Sequence, residues 1–363
     1  MTDVPIAAPV VGDAERRGVS DVLDSGQLAD GEQVRRFERE FADFVGTENG
    51  VATSNGTTAL HAALEALEIG DGDAVLTTPF SFVATANAIR LAGATPVFAD
   101  IDPETYNLDP QAVERVLDER DDVEAILAVH LYGLPASMAE LRDLADEHDA
   151  SLIEDAAQAH GATYRGEPVG SVGDAACFSF YPTKNMTTGE GGMVTTDDAE
   201  VERNLRRFVN HGRDQAGYEH VSVGHNFRMT NLAAAIGRAQ LDRLPAFIDA
   251  RRGNAAALTD LLEDADVTTP RVPTDRTHAF HQYTVDCDDR DALTERLDAA
   301  GVGYGVYYPT PIHEQPAYDG VDATAPAAER AARRVLSLPI HPQLSERDVY
   351  RVADAVRGVR VDE

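Results

Sequence analysis

The sequence predicts an α/β protein. A large domain with a mainly parallel sheet, covered by helices on both faces, precedes a smaller α+β domain. Three observations carry this. Short apolar, β-rich runs alternate with helical stretches through roughly the first two-thirds of the chain. The runs are strongly apolar along their length, as expected of strands buried on both faces. The 363 residues are enough for two domains, and proline-punctuated connections separate a second set of elements near the C-terminus.

Residues 13–24 and 32–45 read as helices. Glu38, Phe41, Phe44 and Val45 recur at helical spacing, and the turn-rich segment 24–31 joins the pair. After a short strand or turn at 50–53, an Ala/Leu-rich helix runs from Thr57 towards Gly70, a glycine suited to a helix end. Strands are expected at 74–78, 95–100, 125–130, 151–155, 175–180 and 193–196, with helices at 84–92, 110–118 and 137–148 between them. Further helices are expected from 200 to about 212, 232–244 and 246–262. Residues near 246–265 bridge to the second domain, which places the domains at 1–245 and 246–363. In the second domain, strands at 282–286 and 302–308 alternate with helices at 290–299, 325–336 and 346–356.

The formal charge of −32 is spread along the chain. It opposes nucleic acid and anionic membranes and fits a cytoplasm of high salt, where ions screen self-repulsion. Cys177 and Cys287 are too few for a disulfide framework or a zinc site, so no metal is expected. The N-terminus has neither a basic segment nor an apolar one of signal-peptide type, and the expected location is cytoplasmic.

Lys184 is the only lysine; every other residue in the Lys+Arg total of 31 is arginine. Arginine carries charge but does not deprotonate at working pH. A desolvated lysine does, and can then attack a carbonyl carbon. Lys184 follows an apolar strand and precedes a glycine-rich turn. Other polar punctuation also falls at strand ends, where ligands of parallel sheets bind: Phe82, Asp155, and Ser179 five residues before the lysine. Gly56 and Thr57 open a helix and offer amides and hydroxyls to an anion. Taken alone, that segment reads equally as ordinary capping, Asp155 as a strand-end cap and Phe82 as core. Together they are the set pyridoxal 5′-phosphate requires: an amine for its aldehyde, a carboxylate for its ring nitrogen, donors for its phosphate and an aromatic face for its ring.

At this point the chain resembles the DegT/StrS-type sugar aminotransferases of pyridoxal-phosphate fold type I. The likeness spans roughly residues 5–355. It rests on seven ordered blocks: Ser54–Leu60, Pro79–Ala88, Glu154–Gly161, Phe178–Gly192, Asn210–Gly212, Gly224–Met229 and Leu338–Pro342. The resemblance implies that Lys184 holds the cofactor as a Schiff base and shuttles a proton, and that Asp155 pairs with the ring nitrogen. It implies that Phe82 and Gln158 lie against the ring, and that Gly56, Thr57 and Ser179 bind the phosphate. Asn226 would reach the phosphate of a neighbouring subunit, giving a homodimer with shared active sites. Arg228, Tyr308 and His313 are the candidates on the substrate side. The implied activity is amination of a nucleotide-linked keto-sugar, with L-glutamate as donor. The alternatives are a sugar dehydratase, an aminotransferase acting on a cyclic ketone without a nucleotide, and a cofactor-binding regulator without turnover. The dehydratase branch carries a histidine in place of the lysine.

Overall fold

The computed structural model describes residues 4–214, 217–321 and 323–359. Helices α1 (Asp13–Ser25) and α2 (Glu32–Val45) come first. An alternating series follows: β1 (Asn49–Thr53), α3 (Gly56–Ala66), β2 (Ala74–Thr77), α4 (Ala84–Leu91), β3 (Thr95–Phe98), α5 (Pro110–Glu119), β4 (Val123–Val129), α6 (Met138–Glu147) and β5 (Ser151–Asp155). The short strands β6 (Thr163–Tyr164) and β7 (Glu167–Pro168) lead to β8 (Ala175–Ser179) and β9 (Gly192–Thr196). Next come α7 (Ala199–Phe208), α8 (Asn231–Leu241) and α9 (Leu244–Leu261). The remainder holds β10 (Arg276–Thr277), β11 (Tyr283–Asp286), α10 (Arg290–Ala299), α11 (Pro326–Arg334), β12 (Val335–Leu338) and α12 (Glu346–Arg357).

The main sheet has seven strands in the order β1-β9-β8-β5-β4-β2-β3. From β8 to β3 every neighbouring pair is parallel, and β9 runs against both β8 and β1. Residues of β2, β8 and β9 are buried at every position, which is why those strands read as continuous apolar runs. The two-residue period of a strand sorts their side chains between faces. Ala125, Leu127 and Val129 of β4 enter a core shared with α3, α4 and α7, while Ile126 and Ala128 enter one shared with α5 and α6. In β8, Ala175 and Cys177 face the first core, and Ala176 and Phe178 face a third built with α2 and α8.

The C-terminal part has its own core, where β11 pairs antiparallel with β12 under α9, α10 and α12. The helix expected to run towards Gly70 stops at Ala66, the one expected to about 212 stops at Phe208, and two C-terminal elements differ in kind. The helix expected over 325–336 stops at Arg334, and Val335–Leu338 is strand β12. Val335, Leu336 and Leu338 are fully buried, and pairing with β11 overrides the helical pattern of the preceding alanines. The strand expected at 302–308 forms only isolated bridges, Val302 to Val4 and Gly305 to Ser337. Gly303 N turns to Val4 O at 2.7 Å while Gly305 exchanges hydrogen bonds with Ser337 on the second edge of β12, so the stretch divides its backbone between two partners.

Helix α9 straddles the two parts: Leu244 and Ile248 belong to the core under α2 and α8, Ala255 and Leu258 to the C-terminal one. We propose the division near residue 245 with α9 as the bridge. Helix α11 instead joins the large core through Ala328, Ala331 and Ala332. The Asp100 carboxylate caps it, accepting from Ala327 N at 2.9 Å and Ala328 N at 3.0 Å.

Candidate active site

Lys184 lies in the connection between β8 and β9. That connection closes on itself: Phe180 N donates to Gly191 O at 2.8 Å, Thr188 N to Phe180 O at 3.0 Å and Lys184 N to Tyr181 O at 2.9 Å. Next to the lysine, Asn185 donates to Ala279 O at 2.9 Å and Met186 is buried. Part of Lys184 reaches solvent, yet burial pulls its ammonium down to about 8, against the upward pull of the Asp155 charge. A substantial minority of the amine is therefore neutral near physiological pH, rising as pH passes about 8.

Asp155 ends β5 and is buried. Thr85 Oγ1 donates to its Oδ2 at 2.9 Å and Ala157 N to its Oδ1 at 3.2 Å. Ser81 Oγ lies 2.8 Å from Thr85 Oγ1. Burial holds the Asp155 carboxyl above its ordinary value, opposed by those two hydrogen bonds and the Lys184 charge. A buried carboxylate with so few donors suits a cationic ring nitrogen.

The anion-ready turn is built as a cradle. Asn55 caps α3, its side chain accepting from Thr58 N at 2.9 Å, and helix geometry leaves the amides of Gly56 and Thr57 without intrahelical acceptors. A Cβ on Gly56 would lie 2.8 Å from Ser179 Cβ, so only glycine brings this helix start onto the Ser179 hydroxyl. Two amides, a hydroxyl and the positive end of α3 make a donor set that fits a phosphate.

Phe82 is 56% exposed, a bare aromatic face whose ring centroid lies 6.1 Å from that of Tyr308. Gln158 is buried; it accepts from Tyr132 N at 2.7 Å and donates to Tyr308 Oη at 3.2 Å. Burial raises the Tyr308 phenol strongly, and the nearby Asp155 charge adds to this. The structure thus joins Gln158, Tyr308 and Phe82 beside Asp155 and Lys184, with Gly56 against Ser179.

The remaining candidates make other contacts among the described residues. Asn226 is exposed and bridges Asn210; Arg228 bridges Thr53 and donates to Asn210 Oδ1 at 2.6 Å. Among the described residues, Arg228 makes no ion pair despite the acidic chain. His313 sits between the Phe98 ring, 6.4 Å away, and Glu329, 3.6 Å away. Sequence reasoning missed Thr85 as a partner of Asp155 and Tyr132 as a partner of Gln158. Thr85 stands one helical turn after Ser81, a hydroxyl pair at i,i+4 that was the available signal. Tyr132 gave none.

Fold and chemistry define the class, a pyridoxal-phosphate-dependent aminotransferase. The profile of the DegT/DnrJ/EryC1/StrS aminotransferase family matches residues 9–357, and the chain belongs to that family. It is 43% identical over 342 residues to the UDP-N-acetyl-3-dehydro-α-D-glucosamine 3-aminotransferase of Acidithiobacillus ferrooxidans, covering 94% of this chain and 92% of the relative. It is 41% identical over 347 residues to a pleiotropic regulatory protein of Geobacillus stearothermophilus, with 94% and 92% covered. The crystal structure of Streptomyces venezuelae DesV in complex with a ketimine intermediate superposes with a TM-score of 0.92 at 40% identity, covering 96% and 95% of the two chains.

Proposed function

We propose that this enzyme transfers the amino group of an amino acid, L-glutamate, to a nucleotide-linked keto-sugar, releasing an amino-sugar. One observation carries the chemistry: the chain's single lysine is held beside a buried carboxylate, in surroundings that bring the amine to about 8. Relatives that act on UDP- and dTDP-linked sugars support the substrate class.

Bound pyridoxal phosphate supplies an aldehyde that takes up the amino group and a ring that stores an electron pair. In this reading, Lys184 Nζ would hold the cofactor at rest, and the same amine, once freed, would move the proton at the donor's Cα with no diffusing base. The Asp155 carboxylate keeps the ring nitrogen protonated, and Thr85 holds that carboxylate in place. The amides of Gly56 and Thr57 and the Ser179 hydroxyl hold the phosphate. Phe82 and Gln158 bracket the ring, and Tyr308 closes the substrate side. Asn226 serves the phosphate site of a second copy in a homodimer, and Arg228 faces the nucleotide phosphates of the substrate. The proposed setting is a cytoplasm of high salt. A dehydratase is disfavoured because Lys184 is present.

The test is the glutamate half-reaction, followed by absorbance, then a screen of keto-sugar nucleotides with product mass. The regulator reading is favoured by one similar protein; it gains if the wild type binds cofactor but never converts with any amino donor. Full turnover by Lys184→Ala would overturn the assignment of the lysine.

A further inference from the structure

Glu154 and Asp155 are consecutive acids on a strand, so they point to opposite faces of the sheet. Asp155 faces the site. Glu154 faces away and is fully buried against His130, also fully buried. Its four contacts are closely set. His130 Nε2 lies 2.9 Å from Oε2, Gly170 N donates to Oε2 at 2.9 Å, Val172 N to Oε1 at 2.9 Å and Gly173 N to Oε1 at 2.8 Å. On the other side of the imidazole, Ala136 N donates to Nδ1 at 3.0 Å. Nδ1 is therefore an acceptor, and Nε2 faces the carboxylate as the donor. Burial pushes the Glu154 carboxyl up, but the His130 hydrogen bond and the backbone donors hold it below its ordinary value.

The pair clamps two segments: the 131–136 turn, which follows the carboxyl end of β4, and residues 170–173, which lead into the amino end of β8. One of them, the turn Leu131–Gly133, is backbone of an unusual kind. Tyr132 has φ of 59° and Gly133 of 98°, and a Cβ on Gly133 would meet Gln158 O at 2.9 Å. From this turn Tyr132 N reaches Gln158 Oε1, the Tyr132 hydroxyl donates to Tyr307 O, and Gln158 Nε2 reaches Tyr308. We propose that Glu154 and His130 are a positioning pair: from the far face of the sheet they fix the 131–136 turn, and through it the orientation of Gln158 and Tyr308 in the site. Neither residue touches substrate or cofactor. This rests on the reading of Gln158 given above.

The test is a double-mutant cycle in the holoenzyme, with Glu154→Gln, Gln158→Ala and the double variant measured in the glutamate half-reaction. Glu154→Gln is expected to lower the rate constant about tenfold with KM for glutamate moved less than about threefold, and to cost less than about twofold once Gln158 is already alanine. In the cofactor-free protein, hydrogen exchange should accelerate at Leu131–Gly133, Gly170, Val172 and Gly173. A folded Glu154→Gln enzyme with the wild-type rate, or losses that multiply in the double variant, would overturn the proposal. If Glu154→Gln does not fold, His130→Asn, which leaves Glu154 its backbone donors, is read in the same way. A wild type inert to every amino donor would count against the proposed function instead, and the exchange measurement would still decide the pair.

Discussion

At Lys184 the chemistry reduces to one proton. Burial takes the amine from 10.5 to about 8 while Asp155 pulls it back up. Only the neutral amine attacks an aldehyde, so capture of pyridoxal phosphate by cofactor-free enzyme should speed up as pH rises through about 8. Asp155→Asn removes the upward pull and should shift that midpoint to lower pH, even as turnover falls; a stopped-flow pH series reads both. Lys184→Ala should lose roughly a thousandfold or more in the half-reaction, and borohydride reduction of the wild type should tag a single peptide, the one holding Lys184. Lys184 and Asp155 were legible in the sequence because residue type and strand-end position each carry a signal. The bond from Thr85 to Asp155 was not, since it joins positions 70 residues apart. His130 showed only its strand-end position, since a lone histidine reads alike whether it is solvated or clamped between a carboxylate and an amide.

Elements show the same division. Helices α1 and α2 were found to within a residue because each stops at a left-handed glycine, Gly26 and Gly46. What attaches them was invisible. Glu15 in α1 is buried, accepting from Gly12 N at 2.8 Å, Gln240 Nε2 at 2.6 Å and Arg243 at 3.0 Å. Burial alone would raise its carboxyl, but these bonds hold it below the ordinary value. An acid whose folded pKa is depressed adds stability above its unfolded pKa and loses it as pH falls through the folded one. Glu15→Gln should therefore lower stability by about 1–3 kcal/mol at neutral pH, and its gap from wild type should close in acid, as thermal melts across pH will show. In α8, Gly237 lies against α2: a Cβ would meet the Phe37 ring at 2.7 Å. Gly237→Ala should cost about 1–3 kcal/mol by overpacking, measured by denaturant midpoint.

For the whole molecule, the charge of −32 sets an expectation that contact geometry does not. Salt at about 1 M shortens the screening length to about 3 Å, so the thermal midpoint should climb with potassium chloride; full stability in dilute buffer would remove the high-salt reading. The sequence by itself determined the parallel α/β architecture, the single lysine after a buried strand, the acid at the end of another and the anion-ready helix start at Gly56. Those depend on local periodicity, on residue chemistry and on motifs whose order along the chain is preserved. Only the tertiary structure decided that Val335–Leu338 is a strand, that α11 joins the large core, and that Glu154 turns away from the site to grip His130. It also decided that Arg228 bridges Thr53 and donates to Asn210, while Asn226 bridges Asn210. The physical reason is common to all four: each outcome depends on which distant surface offers a partner, a strand edge, a buried face or a hydrogen-bond donor, and no local pattern encodes where that surface will be.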